Sequence, residues 1–132
     1  MGLERTGKAI RPTRWWWPVA LVLVIGCGQG QTLPPDPQVA VGAAHYQGTC
    51  AVCHGRDAGG LRGLGSPLVG GSFIGSHSDE EVVAFVVSGR SRQDPANSTG
   101  LPMPPRGGNP RLDDEDLGAI VAYLRFLAST PT

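Results

Sequence analysis

The segment Cys50-Ala51-Val52-Cys53-His54 constrains this 132-residue chain more than any other. Two thiols three positions apart can each form a thioether with one of the two vinyl groups of a haem, and an imidazole directly after them reaches the iron as proximal ligand. A chain built this way has to fold around a flat apolar macrocycle. The competing readings of Cys-x-x-Cys are a zinc half-site and a thioredoxin-type dithiol. Zinc needs two further ligands at similar spacing. The sequence holds only one other cysteine, Cys27, and its remaining histidines, His45 and His77, stand apart from each other. The motif therefore predicts one covalent haem c on Cys50 and Cys53 with His54 on the metal, and the lack of a second cysteine pair excludes a second haem.

A closed electron-transfer haem needs a sixth ligand, and a thioether favours the reduced iron. Of the two methionines, Met1 starts the chain and Met103 lies in Gly100-Leu101-Pro102-Met103-Pro104-Pro105. Prolines fix φ and stiffen the loop, so the sulfur can be held in place with little further ordering of the backbone. Met103 is expected on the iron rather than as flexible core filler. His77 is the alternative, which would give bis-histidine iron, with His45 a weaker candidate.

Three helices are expected. Asp36-Pro37, a carboxylate cap followed by proline at the first helical position, opens the first, which carries Val39, Gly42, Ala43 and Tyr46 on one face up to Cys50. Ser78-Asp79-Glu80-Glu81 is a capping box for the second, which stops at Gly89. Its valines would also suit a strand, but the cap and the acidic first turn decide for helix. The third opens on Asp113, Asp114, Glu115 and Asp116, where the helix dipole favours negative charge, and repeats Leu117, Ile120, Val121, Leu124 and Leu127 at helical spacing. That stripe should pack on the first helix, with Gly42 letting the two axes approach. Residues 55–71 and 90–112, rich in glycine and proline, read as loops wrapped round the haem.

The N-terminus has a different organisation. Arg5, Lys8, Arg11 and Arg14 precede a short apolar run over residues 19–25 that ends at Gly26-Cys27, the pattern of an export signal. The apolar run from Trp15 is too short for a spanning helix of about 20 residues. Val24-Ile25-Gly26-Cys27 resembles a lipoprotein signal-peptidase site, which makes Cys27 the expected lipidation site; an uncleaved signal anchor is the alternative. The expected organisation is a signal peptide over 1–26, a lipidated N-terminus and proline-rich tether over 27–36, the haem domain over 37–128 and a tail over 129–132. Localisation follows as the cell envelope, outside the cytoplasmic membrane. Without the leader the chain has seven arginines, no lysine and ten carboxylates, a net charge of −3. That balance argues against nucleic-acid binding and for redox partners with a positive rim. Asn97-Ser98-Thr99 matches a glycosylation acceptor but is short enough to be chance.

These residues together resemble the class I monohaem cytochromes c, over residues 37–127. Gly42 and Tyr46, eight and four positions before Cys50, stand where that family has the small residue and the aromatic of its N-terminal helix; Ile120 and Tyr123 stand where its C-terminal helix supplies their partners. Pro67, thirteen residues after His54, resembles the proline whose carbonyl accepts the proximal histidine's ring N–H, which makes Pro67 part of the expected haem site. The haem-pocket tryptophan of some members is missing, since all three tryptophans precede Pro18. The resemblance implies a small all-α fold, three main helices and loops around one haem. It implies a single-electron carrier rather than an enzyme, with partners in a respiratory or envelope electron-transfer chain, acting as a monomer or as a subunit of a complex. A peroxidase or gas sensor with a labile sixth ligand, and a permanent subunit of a larger dehydrogenase or oxidase, are the alternatives. Among Arg56, Arg62, Arg90, Arg92 and Arg106 the sequence does not choose a propionate partner.

Overall fold

The computed structural model describes residues 36–130. Cys27, the export signal and most of the tether lie outside the described residues.

The first helix, α1 (Pro37–His45), begins as its cap dictates: the Asp36 carboxylate accepts the Gln38 N–H at 2.8 Å, and Pro37 takes a first-turn position whose missing N–H costs nothing. It continues without a break through a π-helical segment, Tyr46–Cys50, into α2 (Ala51–His54). The one helix expected up to Cys50 is thus extended to His54 and widened in its middle. Ala51 N–H reaches back five residues to the Tyr46 carbonyl, so this turn holds one residue more than an α-turn and changes where Cys50 and its successors point relative to Tyr46.

A short helix α3 (Ser72–Ser76), which was not expected, precedes α4 (Asp79–Ser88). The capping box of α4 is complete: Ser78 Oγ accepts the Glu81 N–H and the Glu81 carboxylate accepts the Ser78 N–H. α5 (Asp114–Ser129) has the same device between Asp113 and Asp116, so its acidic start is a capping box as well as a complement to the helix dipole. A 3₁₀ turn, Pro105–Gly108, lies inside the expected second loop. No strand occurs among the described residues; two isolated bridges pair Leu61 with Gly65 and Arg90 with Met103. The all-α expectation holds.

The core is the contact of α1 with α5, joined by α4. Leu117, Ile120, Val121 and Leu124 of the predicted stripe are buried, and Leu127 packs at its edge. Gly42 sits at the crossing, where a Cβ would lie 1.8 Å from the Ala119 carbonyl oxygen. Tyr46, fully buried, meets Tyr123 with ring centroids 5.4 Å apart and tilted by 52°, an arrangement that suits aromatic quadrupoles. Its hydroxyl donates to the Gly55 carbonyl at 2.7 Å, so the buried polar tip is satisfied. From α5, Arg125 donates to the carbonyls of Ile74 and His77 and pairs with Asp79 at 3.0 Å, tying α3 and the start of α4 to the last helix. No helix among the described residues is long and apolar enough to cross a membrane.

Candidate functional site

The end of the α1–α2 helix, the loop after it, α3, α4 and the proline-rich loop enclose one cleft of about 920 Å³, part of it open to solvent. Cys50, Cys53, His54 and Met103 all line it, as does Pro67. These residues are up to 53 positions apart and come from different elements, yet face the same space. Leu64, Leu68, Phe73, Phe85, Leu101 and Pro104 make most of the remaining wall apolar.

His54 is oriented by a hydrogen bond: its Nδ1 lies 2.8 Å from the Ser66 carbonyl oxygen. A carbonyl only accepts, so Nδ1 carries the proton and Nε2 keeps its lone pair free for a metal. The acceptor differs from the expected one. It is the carbonyl of Ser66, one residue before Pro67, and not that of Pro67 itself. A residue preceding proline is restricted to extended backbone, and Pro67 thereby acts on the bond by limiting where the Ser66 carbonyl can point.

The two thiols are free, Cys50 half-buried and Cys53 exposed. Burial, with the charge of Cys53 adding to it, pushes the Cys50 thiol up to about 11. Catalytic dithiols show the opposite shift, a depressed pKa that supplies thiolate. The thioredoxin-type reading of Cys50 and Cys53 loses its physical basis here. Among the described residues no group of three or more His, Cys, Asp or Glu side chains could hold a metal ion, which leaves the zinc reading equally unsupported.

The alternative sixth ligands are engaged elsewhere. His77 stacks on Phe73 with centroids 4.2 Å apart, and its Nδ1 lies 2.9 Å from the Phe73 carbonyl oxygen; it does not line the cleft. His45 pairs with Asp116 at 3.1 Å on the α1–α5 side. Of the five candidate arginines, Arg90 lines the cleft, with its Nη1 donating to the Ala96 carbonyl at 3.2 Å, whereas Arg106, held by the Leu112 carbonyl and Asp114, does not. The Arg90 guanidinium lies 4.7 Å from the Phe85 ring centroid. The Asp94 carboxylate is 3.3 Å from its Nε, near enough for charge pairing, yet this buried Nε–H makes no hydrogen bond.

Two thiols at vinyl-bridging spacing, an imidazole with a free Nε2, a thioether, apolar walls and a partly buried guanidinium whose Nε–H has no partner form a donor set that fits haem c with its propionates. The cleft and this donor set define a c-type cytochrome domain. Residues 37–124 match the family model described as "Cytochrome C oxidase, cbb3-type, subunit III", and the chain belongs to that family. It is also similar to cytochrome c-555 of Chlorobaculum thiosulfatiphilum, with 32% identity over 85 residues that cover 64% of this chain and 91% of that protein. No solved structure matches the chain. As a c-type cytochrome domain it carries covalently bound haem c and transfers electrons, and it is not an enzyme.

Proposed function

We propose that this chain is a membrane-tethered single-electron carrier whose haem c is attached through Cys50 and Cys53 and ligated by His54 and Met103. The observation that carries the reading is that these four side chains line one apolar cleft, with His54 Nδ1 bonded to Ser66 so that Nε2 is available. Bound haem supplies a one-electron ferric/ferrous couple. The chain's own residues do the rest. Ser66 fixes the imidazole plane and raises its basicity, Met103 favours the reduced iron, and the apolar wall excludes water. Arg90 is the propionate partner. Cys27 bears the lipid anchor after removal of residues 1–26, and the tether over 27–36 holds the domain at a membrane on the outer side of the cytoplasmic boundary. Confinement to that surface raises the effective concentration of redox partners in the same membrane.

Optical spectra of the holoprotein, ferric and ferrous, with and without carbon monoxide, test the ligation. Thioether markers that disappear in Met103→Ala, together with a ferrous parent that does not bind carbon monoxide, are the expected result. Ready carbon monoxide binding by the parent would replace the carrier reading with a sensor or peroxidase having a labile site. A second reading, a permanent subunit of a larger oxidase, is favoured by the description of the matching family as an oxidase subunit. Co-migration of the detergent-solubilised protein with an oxidase, rather than alone, would establish it.

A further inference from the structure

The loop over residues 90–103 is closed at its base by backbone and filled at its centre by one side chain. At the base, Arg90 and Met103 exchange two backbone hydrogen bonds, of 2.8 and 2.9 Å. At the centre lies Asn97. Its Nδ2 donates to the Ser91 carbonyl at 3.0 Å and to the Leu101 carbonyl at 2.7 Å. Its Oδ1 accepts the backbone N–H groups of Thr99 at 3.1 Å and Gly100 at 2.9 Å, which fill both lone pairs, and the Thr99 hydroxyl lies 3.3 Å from it and 3.5 Å from the Leu101 carbonyl oxygen. A primary amide has two donors and an acceptor with two lone pairs, so Asn97 spends its whole hydrogen-bonding capacity inside this loop. None of residues 91–101 is buried in the protein's own core, so within the chain these hydrogen bonds, rather than core packing, shape the segment.

We infer that Asn97 is a positioning residue for Met103. By pinning the N–H groups of residues 99 and 100 and the carbonyl of Leu101, it fixes how the 101–104 segment enters the cleft, and through that the strength of the thioether–iron bond. The inference rests on the Met103 ligation proposed above. It also accounts for Asn97-Ser98-Thr99 without a sugar, because Thr99 is a partner of Asn97 inside the loop.

The test uses holoprotein carrying Asn97→Ala, and Asn97→Asp, which keeps the acceptor but loses both donors. Imidazole is titrated into the ferric protein, where it binds only as Met103 leaves, while the ferric thioether absorption band is followed; haem content and helical circular dichroism are measured alongside. The expected result is that both variants take up haem and keep parental helicity, and that Asn97→Ala binds imidazole about tenfold more tightly, equivalent to about 1.4 kcal/mol. Parental imidazole affinity in Asn97→Ala overturns the role of Asn97 alone. A parent that lacks the thioether band overturns the ligation and the positioning role together. Failure of both variants to take up haem makes Asn97 a folding residue and overturns the inference as well.

Discussion

The ring Nδ1 of His54 lies 2.8 Å from the carbonyl oxygen of Ser66, whose backbone is limited by the proline that follows. Pro67→Ala relaxes that limit, weakens the bond and makes the imidazole a poorer donor to ferric iron. The reduction potential should rise by about 20–60 mV, on a scale where roughly 59 mV is tenfold for a one-electron couple. Stability should fall by about 0.4–1 kcal/mol from the freer unfolded chain. Redox titration of parent and variant checks this; an unchanged or lower potential would show that Pro67 does not act through His54.

The crossing of α1 and α5 depends on Gly42. An alanine Cβ would sit 1.8 Å from the Ala119 carbonyl oxygen and 2.4 Å from its carbon, both rigid backbone. Overpacking of this kind costs about 1–3 kcal/mol, which outweighs a gain of about 1 kcal/mol in helix propensity. Gly42→Ala should therefore lower the thermal midpoint of the holoprotein by several degrees, about 4–8 °C per kcal/mol for a domain of this size. A midpoint at or above the parent's would mean that the helices can part without loss.

Gly89 ends α4 at φ +72, ψ −167, a region open essentially only to glycine, and a Cβ there would meet the Met103 carbonyl oxygen at 2.4 Å. Gly89→Ala should cost about 1–3 kcal/mol in guanidinium unfolding and should also disturb the Arg90–Met103 bridge. The variant should bind carbon monoxide in the ferrous state where the parent does not. Loss of stability with an unchanged ligand response would separate the helix stop from the loop it faces.

Burial, reinforced by the negative forms of Tyr123 and Asp57 nearby, raises the Tyr46 phenol well above its ordinary value. The fold thus prefers the neutral phenol, while the unfolded chain loses that proton near pH 10. The stabilisation is complete below about pH 10 and is lost as pH climbs above it toward the folded value, with a slope approaching about 1.4 kcal/mol per pH unit. Tyr46→Phe should be about 1 kcal/mol less stable at neutral pH, because the Gly55 carbonyl loses its donor. Its stability should decline less steeply than the parent's between pH 9.5 and 11. Parallel declines in guanidinium unfolding would place the alkaline sensitivity on another group.

What could be read from the chain alone was what short spacings carry. Cys50, Cys53 and His54 are specified within five residues, the Asp36 and Ser78 caps within two or three, and the stripe of α5 by its period. Each of these is local, since a helix end or a thioether pair depends on neighbours a turn away. Even the closeness of Gly42 to the last helix was legible, because a missing side chain within an apolar stripe has few other uses.

Only the tertiary structure chose between candidates that look alike in sequence. It brought Ser66, twelve positions from His54, into the place expected of Pro67, because the proline constrains the carbonyl before it rather than presenting its own. It separated Arg90 from Arg106 by placing only the first of the two at the cleft, and it engaged His77 on Phe73, behind the cleft wall. It also gathered the hydrogen bonds of the Met103 loop onto Asn97, which in sequence was one polar residue among many. Such choices depend on how the loops close over the core, because loop closure decides which of several equivalent polar groups come within hydrogen-bonding reach, and residue types and spacing alone do not fix that.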